Sequence, residues 1–170
     1  MAVSDFEHLR RSPIALLRHV DGVNEGIVTR LQKEATSELI DGLRMCTIGR
    51  TIIAVGLMGV FEAQLQQHFG WGNVPADLND ALRRVGRDDL VIRLSDIRDA
   101  VNVLKHGEGR SYERLLSRKD ALTFLVKGRE EAFFDEGDVS EISRLIEADS
   151  RFVEATVAAL ADIGAALGVT

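Results

Sequence analysis

The polar and apolar positions of this chain repeat with a helical period along most of its length. Val23, Ile27, Leu31, Ala35, Leu39 and Leu43 recur every four residues and predict one apolar face of a long helix, with Gly49 as its break or bend. From Arg50 to Phe69 the first half is apolar all round, the pattern of a rod at the centre of a bundle. Gly56 and Gly59 lie on it. Glycine weakens a helix, so its use there predicts the close approach of a neighbouring backbone. Leu90, Leu94, Ile97, Val101 and Leu104 form the seam of a further helix, begun by Asp88 or Asp89 and stopped at Gly107.

Shorter signals fill the rest. Ser4 with Glu7 reads as a capping box, and Ser12-Pro13 as a second helix start. Gly70 to Pro75 is a loop before a short helix over Ala76–Val85. Ser111 is placed to cap a short turn containing Tyr112, Leu115 and Leu116. Ala121–Val126 is either a brief strand or an irregular connection. Asp138 with Glu141 opens a final helix carrying Ile142, Leu145, Ile146, Val153, Leu160, Ile163 and Leu167. The expectation is a single all-α domain over residues 1–170: an up-and-down bundle of about four main helices with short extras.

Composition supports this. A chain of 170 residues with 45% hydrophobic and 28% charged residues, two prolines and 5% aromatics suits a helical core better than a sheet sandwich. The lone Cys46 excludes an intrachain disulfide and a cysteine metal cluster, and reads as a small core residue. No secretory signal is evident. Ile52–Phe61, the most apolar run, is too short to span a bilayer and lies between Arg50 and Glu62, so the expected location is cytoplasmic, with no membrane association.

Net charge is −6, a poor balance for general nucleic-acid binding. Yet Arg83–Lys119 holds ten basic against six acidic residues, a local +4. That excess is either a basic face on an acidic body or a solvated helix face with i,i+4 pairs.

Within that segment Arg98, Asn102 and His106 are spaced four apart and share one helical stripe beside the apolar seam. The trio suits metal-independent RNA cleavage: His106 as general acid or base, Arg98 holding the phosphate, Asn102 orienting either. Lys105, Arg110 and Ser111 would add phosphate contacts, and no cofactor or metal is required. A plain structural reading stands beside it. Lys105, His106 and Gly107 are also what a helix C-terminus prefers, Asn102 then being a surface residue and Arg98 a partner of Asp99 or Glu62.

Asn102, three residues before Lys105-His106-Gly107 and late in a bundle helix, resembles the HEPN superfamily. That resemblance implies a helical bundle, often dimeric, found among ribonuclease toxins and antiviral defence proteins. The family's usual signature is an arginine, a polar residue and then a histidine on one helix. Asn102 and His106 match the last two. Val101 stands in the arginine's place, and Arg98 lies one turn earlier. The resemblance implies a homodimer acting on RNA. The other reading is a noncatalytic interaction or RNA-binding module, an accessory or neutralising subunit with a cognate protein partner. His8, His19 and His68 are scattered without metal-ligand spacing. Glu62, Glu130, Glu131, Asp135 and Glu136 could supply acids but read as solvated. Trp71, beside glycines, either stacks on a base or anchors its loop.

Overall fold

The computed structural model describes residues 2–128 and 145–169, with the side chains of residues 2–5 left aside. The helices are α1 (Ala2–Leu31), α2 (Ser37–Phe69), α3 (Val74–Arg84), α4 (Asp88–His106), α5 (Arg110–Leu116) and α6 (Ser150–Leu167), with a 3-10 turn at Lys119–Ala121. The protein is an all-α bundle, as the periodicity predicts, and α1, α2, α4 and α6 are its long members.

The first two helices differ from the sequence reading. The chain does not restart at Ser12-Pro13: α1 runs through Pro13, which is buried. A proline costs one backbone bond there, and Phe6, Leu9 and Leu17 pack into the core on both sides of it. The break falls at residues 32–36 rather than at Gly49, because the Thr36 side chain accepts from the Leu39 amide and caps a new helix. The four-residue spacing from Val23 to Leu43 therefore straddles two antiparallel rods. Gly49 stays helical and faces Val20, while a Cβ at Gly42 would lie 2.8 Å from Ile27. Among residues 22–49 only Leu39 and Cys46 are buried, so this outer part of the hairpin stands largely clear of the core. At its base Arg50 pairs with Asp21 at 2.7 Å, and the Ser150 hydroxyl donates to the same Asp21 carboxylate from the start of α6.

The core lies between the inner half of α2 (Ala54, Leu57, Phe61, Leu65), α3 (Leu78, Leu82), α4 (Leu90, Leu94, Ile97, Val101) and α6 (Phe152, Val153, Leu160, Ile163). The predicted α4 seam is therefore correct, with Leu104 half-buried at its end. Arg87, not an aspartate, occupies the α4 N-cap and holds Asp89 through two hydrogen bonds. The final helix starts at Ser150, capped by Asp149, whose side chain accepts from Phe152 N. Leu145 and Ile146 precede it, and Ile146 makes an isolated antiparallel bridge with Val126. The Asp138–Glu141 box and Ile142 lie outside the described residues, as do Glu130, Glu131, Asp135 and Glu136.

The predicted central burial of α2 is half right. Its inner face is core, but Met45, Ile48 and Ile52 on the outer face are 71%, 56% and 65% exposed, and Val60 is exposed too. The run judged too short for a bilayer belongs to a 33-residue helix that is, by length and composition, apolar enough to cross one, and only 22% of its most apolar window is buried. The backbone approach predicted at Gly56 and Gly59 is absent among the described residues of the chain: a Cβ at either would meet nothing within 4 Å.

Candidate functional site

The motif helix α4 carries Arg98, Asn102 and His106 along one stripe, where eight residues at a rise of ~1.5 Å separate the ends by ~12 Å. Their surroundings differ. Arg98 is tied into the bundle: its Nε donates to Glu62 Oε1 at 3.1 Å and its Nη1 to Asn79 Oδ1 at 3.4 Å, joining α4 to α2 and α3. Its side chain is 18% exposed, and Nη2 is buried without a partner among the described residues. Arg98 thus follows the plain structural reading, with Glu62 rather than Asp99 as partner.

Asn102 and His106 are exposed, and neither has a side-chain hydrogen bond among the described residues. Lys105 and His106 form the last turn of α4, and the Gly107 amide closes the helix on Val103 O with φ 74°. The Lys105 charge suits the negative end of the helix dipole. Arg110 is exposed at the start of α5. Ser111 does not cap α5: the N-cap is Gly109 without a side-chain bond, and Ser111 Oγ accepts from Arg114 at 3.1 Å. The fold thus sets Asn102, Lys105, His106 and Arg110 on exposed positions around one helix end, and holds Arg98 inside a different network.

Sequence reasoning missed a second charged cluster on α4. Asp99 is buried and takes both arms of the Arg114 guanidinium, with Nε to Oδ2 at 2.8 Å. Asp96, a turn earlier, receives Arg118 at 2.7 Å. These pairs clamp α5 and the following turn onto α4. Burial raises the Asp96 carboxyl above its ordinary value; Arg118 opposes the rise and Asp99 adds to it. The bond to Asp99 raises the Arg114 guanidinium further above its already high value. The signal was present: Asp96, Asp99, Ala100 and Val103 have the spacing of a second inward face, which a simple charge count treats as solvated. Tyr112 adds a neutral anchor, its hydroxyl donating to Lys127 O at 2.7 Å.

Trp71 stacks on Phe69, with ring centroids 4.4 Å apart and planes inclined by 12°, which fits the loop-anchor reading. Among the described residues no group of three or more His, Cys, Asp or Glu side chains could hold a metal ion. The other notable surface is the outer face of α2, where Ile52, Ile53, Gly56, Leu57, Val60 and the Leu16 side chain of α1 border a groove of about 400 Å³. The chain matches no protein-family model, no curated protein and no solved structure.

Proposed function

We propose that this chain is a noncatalytic helical interaction module that docks onto protein through the outer face of α2. One observation carries the reading: Met45, Ile48, Ile52 and Val60 leave a contiguous apolar face in water on a helix whose opposite face is core. Exposed apolar patches of this kind mark interaction sites. The pairing of Arg98 with Glu62 and Asn79 supports the same reading, since it draws the guanidinium away from a phosphate on Asn102 and His106. An accessory or neutralising subunit of a toxin or defence system fits this description. The test is association: Ile52→Glu should abolish complex formation while leaving the helical circular dichroism intact. A wild-type chain that stays a lone monomer and binds nothing in a native pull-down would end the reading.

A second reading is the metal-independent ribonuclease implied by the HEPN resemblance, and the free, exposed side chains of Asn102 and His106 favour it. Incubating RNA with the purified protein in a chelator separates the two. Cleavage lost in His106→Ala supports the nuclease; no cleavage, or equal cleavage by both proteins, supports the module.

A further inference from the structure

The outer stripe of α2 consists of Met45, Ile48, Ile52, Gly56 and Gly59, all exposed. Their spacing is three, four, four, three, which is symmetric about Ile52. The side chains are not symmetric: along the stripe the half before Ile52 is bulky and the half after it is glycine, with exposed Val60 at the edge of the face, ~80° round the helix from Ile52. Turning a second α2 end for end about Ile52 sets Met45 against Gly59 and Ile48 against Gly56, so each bulky side chain of one copy meets a hollow of the other. We infer that the occupant of this face is a second copy of this chain, its α2 packed antiparallel on the first across a two-fold axis at Ile52. This rests on the interaction reading above and names its partner.

Three further observations favour this occupant. Gly42 and Gly49 have intrachain neighbours on α1, Ile27 and Val20, whereas Gly56 and Gly59 have none among the described residues. A second backbone supplies the missing neighbour, because glycines let helix axes approach to the short end of the usual ~8–10 Å. Among the described residues the face also carries no unpaired charge. Arg50, the basic residue between Met45 and Gly59, points to Asp21 of its own hairpin. A two-fold interface needs a patch that complements itself, and a neutral apolar one meets no like-charge penalty there. Finally, Met45, Ile48, Ile52 and Leu16 are each more than half exposed and Val60 is 49% exposed, a cluster of large apolar side chains of the kind a protein interface buries.

A bilayer fits less well. Helix α1 lies along α2 and carries exposed Arg10, Arg11, Arg18, His19, Glu25 and Arg30, which a membrane-spanning α2 would draw into the hydrocarbon.

The experiment uses the full chain. Light scattering of the wild type should give twice 18.7 kDa, and Ile52→Glu should give 18.7 kDa with unchanged helicity. Two glutamates meeting on the axis should raise the dissociation constant about 100-fold or more. Orientation is read by mixing two single variants, Ile48→Cys and Gly56→Cys, under mild oxidation with the wild type as control for Cys46. A crosslinked dimer that forms in the mixture, and far less from either variant alone, supports the antiparallel pairing. Efficient self-crosslinking of each variant alone overturns it. A monomeric wild type that binds a different protein in an Ile52-dependent way overturns the second copy but keeps the interaction module. A monomeric wild type that floats with phosphatidylcholine vesicles, through a face blocked by Ile52→Glu, assigns the stripe to lipid and overturns both.

Discussion

Arg98 Nε lies 3.1 Å from Glu62 Oε1, so helix α4, which carries Asn102 and His106, is fastened to the apolar helix α2 by a half-buried ion pair. Neither residue is free to act alone. The pair places Arg98 in the framework of the bundle, and its loss should register as stability. Arg98→Ala leaves the Glu62 carboxylate, 32% exposed, without its cation and should lower unfolding free energy by about 1 kcal/mol. Glu62→Gln, which keeps an acceptor, should cost less. Urea titration of both variants checks the order, and a neutral Arg98→Ala would show that the pair contributes nothing.

The raised Asp96 carboxyl gives a pH signature. The folded chain holds this proton to higher pH than the unfolded chain, whose carboxyl titrates near the ordinary value of 3.8. The favourable contribution is therefore complete below 3.8 and is lost as pH rises through the folded-state value. Asp96→Asn removes that dependence. Its stability relative to wild type should climb as pH rises above 3.8 and then level off at neutral pH. Paired urea melts across that range measure the difference, and a flat or falling difference would contradict the assignment.

Two glycines should respond to alanine with opposite sign. Gly22 lies on an exposed turn of α1, and a methyl group added there would meet nothing within 4 Å, so Gly22→Ala should stabilise by about 0.5–1 kcal/mol through helix propensity. Gly164 is buried in α6, where a Cβ would sit 2.7 Å from the Val169 carbonyl oxygen. Gly164→Ala must push the C-terminal residues aside and should destabilise by about 1–3 kcal/mol. Thermal melts of the two variants give the comparison directly.

His106 is exposed at the end of α4, so His106→Ala should change stability by no more than about 0.5 kcal/mol. On the interaction reading it should also leave RNA intact or cleaved to the same extent as wild type. A well-folded His106→Ala protein that loses a cleavage activity of the wild type would reverse the order of the two functional readings.

The α4 seam and its stop at Gly107 were legible because apolar spacing and a positive-φ glycine are local signals. The division between α1 and α2 was not. The four-residue rhythm passes unbroken through Ala35, and the Thr36 cap that ends it resembles any other polar residue in the sequence. Pro13 misled in the other direction, since burial between Leu9 and Leu17 outweighed its local cost. At the site, the Arg98–Asn102–His106 stripe followed from helical geometry alone. The withdrawal of Arg98 toward Glu62 depends on how α2 packs against α4, 36 residues apart in sequence, which no local spacing encodes. The Asp99–Arg114 clamp was legible in part: the spacing of Asp96, Asp99, Ala100 and Val103 marks an inward face, but nothing local says that Arg114 meets it.

The Asp21 carboxylate, held by Arg50 and by Ser150, marks where a third helix ceases to brace the α1–α2 hairpin. Among the described residues, beyond it each rod leans on the other alone, and local opening is least costly there. Amide hydrogens around residues 32–36 should therefore exchange with solvent first, and protection should build progressively toward Asp21. In the lone chain the outer hairpin melts before the rest; a partner lying along α2 as far as Met45 would slow that fraying from the side.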